Sequence, residues 1–186
     1  MLKTIALAEL LVCWILWALA FVKPGKQATG AKTVARAPAS KWGIFLVMIG
    51  FWLVFTYVRP TGFAKPTWSF IVSMVLGPPS VAVAWSATRH LGKQWRYQAA
   101  LREDHELIQT GPYSWVRHPI YTSMLGMLLS AGFAWTWWPL FVAGVLFFLA
   151  GTEIRVRAED RLLAERFQAS FADYRSRVGA FIPFLH

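Results

Sequence analysis

The sequence predicts an all-α integral membrane protein: a bundle of about five transmembrane helices with an amphipathic helix at its C-terminal end. Three observations predict it. Hydrophobic residues make up 56% of the chain and charged residues only 15%, where a soluble domain carries about 25% charged residues. Apolar runs recur at roughly the length needed to cross a bilayer. The 19 lysines and arginines, which give a net charge of +10, lie between those runs and not within them.

The elements follow in order. The first span covers residues 4–22, with Glu9 inside it. Lys3 and the sequence Ala18-Leu19-Ala20 give this run a likeness to a cleavable leader. The run is long for a leader, and it is read as a retained anchor. Residues 23–41 form a linker with five basic residues and no acid. The second span covers 42–58, and a short turn with Pro60, Gly62 and Pro66 follows it. The third covers 67–87, where Gly77-Pro78-Pro79 is expected to kink or break the helix. Residues 88–118 are polar and mixed in charge. The fourth span begins near 120 and ends near 133, and the fifth covers 139–152. These two are short for a hydrocarbon core of about 30 Å, so both are expected to continue as helix past their apolar limits.

From 153 to 178 the pattern becomes amphipathic. Leu163, Phe167, Phe171, Tyr174 and Val178 recur at steps of four and three and share one face. Such a face suits a helix lying on anionic lipid. The residues nearest the span, 153–161, are placed to fold over the 111–121 loop instead. The whole chain, 1–186, is expected to form one membrane domain.

Charge sets the orientation. The 23–41 linker, the 88–118 segment and the C-terminal tail hold sixteen lysines and arginines, against three on the other side: Lys3, Arg59 and Lys65. The positive-inside rule makes the first side cytoplasmic. The same distribution accounts for the basic charge, so no nucleic-acid partner is implied. Cys13 is the single cysteine, which excludes a disulfide framework and a thiolate metal cluster.

The most informative segment is 111–121, Gly-Pro-Tyr-Ser-Trp-Val-Arg-His-Pro-Ile-Tyr. It sets an arginine, a histidine and two tyrosines at the mouth of the fourth span. Polar groups at a membrane boundary are costly without a use, and Pro119 opens the next helix without losing a needed donor. His118 alone would pass for a neutral residue bonded to a carbonyl, and Arg117 for an interface anchor. Their clustering with Tyr113 and Tyr121 points to a ligand wall. Glu159 and Asp160 have two open readings: counter-ions for Arg155, Arg157 and Arg161, or a carboxylate pair that holds an ammonium or a ribose hydroxyl. The chain has no glycine-rich dinucleotide fingerprint, no P-loop and no nucleophile elbow. His90, His105 and His118 lack metal-ligand spacing, and no metal site is predicted.

Gly111-Pro112-Tyr113, then Val116-Arg117-His118-Pro119 and Tyr121, resemble the signature of the isoprenylcysteine carboxyl methyltransferase family. Glu159-Asp160-Arg161-Leu162-Leu163, the Phe171-Ala172-Asp173-Tyr174 stretch and the segment from Arg175 to Pro183 continue the likeness. Leu91-Gly92, Trp95 and His105 also fit. The resemblance covers about residues 89–185, and it divides the chain into N-terminal transmembrane helices (1–88) and a methyltransferase catalytic region (89–186). It implies a membrane enzyme that uses S-adenosylmethionine, taken up from the cytoplasmic side. The acceptor would be a lipophilic small molecule or a prenylated peptide, reached from the membrane lipid and methylated on a carboxylate. By motif position, His118, Tyr121 and Glu159 would contact the cofactor, with Tyr113 and Pro119 lining its pocket. Arg117 and Arg177 would orient the acceptor. Asp160 departs from the family's second glutamate, and Gly179 and Ala180 depart from its usual proline-containing ending. These departures put the contact through residue 160 and the choice of acceptor in question. Two other classes remain open on the sequence: an NADPH-dependent lipid or sterol double-bond reductase, and a non-catalytic membrane adaptor.

Overall fold

Five helices form the body of the computed structural model, which describes residues 1–22, 33–36, 40–56, 58, 60–92, 100–102 and 106–182. They are α1 (Leu2–Leu19), α2 (Ser40–Phe55), α3 (Thr67–Leu91), α4 (Pro119–Trp135) and α5 (Trp138–Arg177). Two short strands, β1 (Thr33–Arg36) and β2 (Ala100–Arg102), pair antiparallel, with Arg36 opposite Ala100. The expected helical membrane bundle is therefore present, with a small ribbon joining the two basic linkers. Trp95, His105 and Pro183 lie outside the described residues.

α1, α3 and α5 are long and apolar enough to cross a membrane; α2 is apolar but has 16 residues, a rise of about 24 Å. This makes the chain an integral membrane protein. The outer face of α2 fits that setting: Trp42, Phe45, Met48 and Trp52 are all more than half exposed. Hydrocarbon solvates such a face without penalty.

The helices assemble as two tightly packed groups. α2 runs along α5, while α3 runs along α4 and also meets α1. Small residues set the first contact. A Cβ on Gly43 would lie 2.7 Å from the Gly151 carbonyl oxygen, and one on Gly144 would lie 2.9 Å from the Gly50 oxygen. Backbones can approach this closely only where side chains are missing. Between α3 and α4, Ser130 Oγ lies 3.2 Å from Ser73 Oγ and donates to the Ser73 carbonyl at 2.8 Å. Leu10, Val54, Leu128 and Phe148 fill the space between the groups.

Two expectations change. α3 is not broken at Gly77-Pro78-Pro79; it continues through both prolines to Leu91. Gly77 lies against Cys13 of α1 and Ser130 of α4, and Ser80 Oγ donates to the Leu76 carbonyl at 2.7 Å, one turn back. Neighbouring helices and local hydroxyls keep a proline-bearing helix intact in this way. The fifth span does run on into the charged segment, as one 40-residue helix, but with a break at Gln168 (φ 43°, ψ −115°). Beyond the break, Phe171, Tyr174 and Val178 are buried, with Leu107, Leu163 and Phe167 packed against them. The apolar face thus closes on the protein rather than lying on lipid.

Candidate active site at the membrane boundary

The site is built where α4 begins and where α5 leaves its apolar half. Gly111 starts a 3-10 turn, Gly111–Ser114, with φ +61°. A side chain there would also run into the His90 ring, so glycine is required twice over. Tyr113 is buried on this turn, and its carbonyl accepts from the Tyr174 hydroxyl at 2.5 Å. The chain then extends for three residues beside the tail. Val116 bridges Gly179 in parallel. The Arg117 and His118 amides donate to the Gly179 and Ala180 carbonyls, both at 2.9 Å. His118 caps α4, and Pro119 takes its first position.

α5 supplies the opposite wall. Its apolar part ends near Thr152, and the next turns present Arg155, Glu159 and Asp160 inward. His118 sits between the two acids, with Nε2 2.9 Å from Asp160 Oδ1 and Nδ1 3.3 Å from Glu159 Oε2. Both ring nitrogens therefore face carboxylate oxygens. A neutral imidazole would turn one lone pair toward an anion, so with both carboxyls ionised this geometry favours the imidazolium. Burial disfavours that charge, but the hydrogen bonds that the ring donates to Asp160 and Glu159, with the attraction of their charges, outweigh it and raise the His118 pKa to about 9. Burial also pushes both carboxyls upward, and the bonds from His118 reverse this and hold each below its ordinary value.

Two arginines close the network. Arg117 Nη2 donates to Asp160 Oδ2 at 2.9 Å, and its other terminal nitrogen donates to the Val178 carbonyl. Arg155 Nε donates to the Tyr121 hydroxyl at 2.5 Å, and its terminal nitrogens reach Glu159 Oε1 at 3.2 Å and Ser40 Oγ at 2.9 Å. The Tyr121 hydroxyl in turn donates to Glu159 Oε1 at 2.5 Å. Among the described residues, the linked cluster holds three cations (Arg117, His118, Arg155) and two anions (Glu159, Asp160). Arg117 Nε is buried and has no hydrogen-bond partner among the described residues. The Glu159 side chain keeps 23% of its surface exposed, against 7% for His118 and 8% for Asp160.

Among the residues singled out by sequence, the structure brings Arg117, His118, Tyr121 and Glu159 into one network, with Pro119 fully buried behind His118. Tyr113 is buried outside that hydrogen-bonded network, its carbonyl accepting from Tyr174. Arg177 is not brought to it: its side chain is 58% exposed and paired with Asp173 at 2.6 Å. Asp160, in question because it is shorter than glutamate, meets both Arg117 and His118. Sequence reading misses Arg155 and Ser40. The four-residue step from Arg155 to Glu159 was a signal, but Arg157 stands the same distance from Glu153, in the opposite order, and is 76% exposed.

Fold and site together define a class: a helical membrane protein with a buried mixed-charge cluster, open at one carboxylate, where two helices leave the apolar layer. Residues 70–165 match the Isoprenylcysteine carboxyl methyltransferase (ICMT) family, and the chain belongs to that family. Protein-S-isoprenylcysteine O-methyltransferase of Saccharomyces cerevisiae is 36% identical over 93 residues, which cover 44% of this chain and 34% of the yeast protein. The Dictyostelium discoideum protein of the same name is 23% identical over 176 residues, 88% of this chain and 68% of the relative. The cobalt-zinc-cadmium resistance protein CzcN of Cupriavidus metallidurans is 30% identical over 144 residues, 76% and 62% of the two chains. The alignments thus span about a third of the yeast relative's length and about two thirds of the other two. The family match contains the whole charged cluster except Ser40; Tyr174 and the docking tail lie beyond it.

Proposed function

We propose that the protein is an S-adenosylmethionine-dependent methyltransferase acting on the carboxylate of a lipophilic acceptor, with an S-prenylated cysteine as the family-level candidate. One observation carries the reading beyond family membership: a buried Arg117 N–H has no hydrogen-bond partner among the described residues. Leaving such a donor unpaired costs about 1–3 kcal/mol. A carboxylate would accept from that donor and suits the guanidinium's charge.

The residues also fit a sulfonium cofactor. Glu159 is anionic and keeps an open edge, as a ligand carrying an ammonium group and ribose hydroxyls requires. His118, Tyr121 and Glu159 would hold it, with Tyr113 and Pro119 as walls; aromatic faces favour a cation. When bound, S-adenosylmethionine supplies a methyl group on positively charged sulfur, open to in-line displacement. The chain's own residues then have three tasks. Arg117 orients the acceptor carboxylate, which is already ionised near neutral pH and needs no base. Glu159, fixed by Tyr121 and Arg155, holds its charge at one place. Buried Tyr113 and Tyr121 keep water from the nucleophile. Most of the catalytic effect then comes from alignment. Arg117 is already shared with Asp160, which keeps its grip on the acceptor moderate; too strong a pairing would stabilise the ground state. Arg177 has no part in the pocket.

A calorimetric titration of the detergent-solubilised protein tests this. S-adenosylhomocysteine is expected to bind, and Glu159→Ala to weaken it by about tenfold or more. Binding of NADPH without S-adenosylhomocysteine, or wild-type affinity in the Glu159 variant, overturns the assignment.

A further inference from the structure

We infer that Arg155 is a positioning residue of the site, and that through it the start of α2, in the N-terminal half of the chain, sets the geometry of Tyr121 and Glu159. This rests on the reading of Glu159 as a ligand-binding carboxylate.

α5 offers its own comparison. Arg157–Glu153 and Arg177–Asp173 are pairs at four-residue spacing, and in each both partners are about half exposed or more. Such pairs contribute little. Arg155–Glu159 has the same spacing, but Arg155 is 7% exposed and faces inward. Its three guanidinium nitrogens address three different partners: Tyr121, Glu159 and Ser40. Only a planar fork can do this; a lysine ammonium carries the charge but not the geometry.

The fork decides what Glu159 offers. Oε1 accepts from both Tyr121 and Arg155. Oε2 is left with His118 at 3.3 Å and with the open edge. The Tyr121 hydroxyl accepts from Arg155, so its own proton points to Glu159. With Arg155 gone, the phenol and the carboxylate lose the group that orients both.

α2 fixes the fork in turn. Ser40, the first residue of α2, is buried and accepts from Arg155. One turn on, Gly43 makes room for the side chain: a Cβ there would lie 2.6 Å from Arg155 Cγ. The stem of Arg155 thus rests on α2 while its head reaches the site.

Two measurements test the inference, one with ligand and one without. In the first, S-adenosylhomocysteine is titrated into wild type, Arg155→Lys, Tyr121→Phe and the double variant, each checked for folding by thermal unfolding. Arg155→Lys is expected to weaken binding by about tenfold, and the double variant to be no more than about threefold worse than the weaker single one, because the two residues act as a unit. Binding within about twofold of wild type in Arg155→Lys, or losses that multiply, overturns the inference. Failure of wild type to bind overturns the functional reading instead. The second measurement decides the inference in that case also. In ligand-free protein labelled at the tyrosine ring carbons, Ser40→Ala is expected to shift the Tyr121 resonance, and the shift is expected to vanish in an Arg155→Lys background. A Tyr121 resonance indifferent to Ser40→Ala overturns the proposed link between α2 and the site.

Discussion

At the scale of the residue, His118 is the unusual group: a cation kept between two carboxylates in a buried place. Its pKa of about 9 lies above the ordinary 6.5, so its contribution to stability is fully present below pH 6.5 and is lost as pH rises through 9. Asp160 and Glu159 are shifted downward. Their contribution is present above the ordinary carboxylate range and lost as pH falls through their lowered values. The melting temperature in detergent is therefore expected to fall between about pH 6.5 and 9, and His118→Gln to flatten that limb. A wild-type curve level to pH 9 would refute the imidazolium. Much of this cluster was legible in sequence, because Arg117, His118 and Tyr121 lie in one short segment with Pro119. Asp160 was in question because side-chain length is readable and reach is not. Arg155 was illegible for a different reason: spacing on a helix cannot say which of two equal pairs faces inward.

Element-scale behaviour centres on the contact between α2 and α5. Gly43 and Gly50 are seven residues apart, as are Gly144 and Gly151, and the two pairs meet antiparallel, each against the other helix's backbone. A Cβ on Gly144 would lie 2.7 Å from a Val54 methyl and 2.9 Å from the Gly50 oxygen, so the helices must separate to admit it. Gly144→Ala is expected to cost about 1–3 kcal/mol and to lower the melting temperature, without directly touching the charged cluster; unchanged stability would contradict the packing. The equal spacing on both helices is in the sequence, but which helices face each other is a tertiary fact. The break at Gln168 was equally hidden, since no glycine, proline or asparagine marks it. Its left-handed φ is unfavourable for a non-glycine residue, and burial of Phe171 and Tyr174 beyond it accounts for the turn.

For the molecule as a whole, the ribbon of β1 and β2 ties the two basic linkers together, and β2 also meets α5. This agrees with the charge count, which puts both linkers and the tail on one side. We propose that this side is cytoplasmic. In a Cys13→Ala background, a membrane-impermeant thiol reagent applied to intact cells is expected to label a cysteine placed at Thr61, and to label one at Ser176 only after lysis. The reverse pattern would invert the topology. The helical spans are readable because hydropathy is a property of segments. The closure of the C-terminal face on Leu107 is not, because it depends on a partner some sixty residues upstream.

The pairing of the tail with the Arg117–His118 loop carries a consequence in time. Chains are made from the N-terminus, at about 5–20 residues per second. The loop amides find their acceptors only in Gly179 and Ala180. Asp160 and Glu159 arrive with α5 to meet the two side chains, but through the synthesis of α5 the Arg117 and His118 amides wait at the membrane surface without their acceptors. The loop is thus latched only after α5 is made, and a ribosome that stalls between residues 177 and 180 leaves all five helices made and those amides without their acceptors.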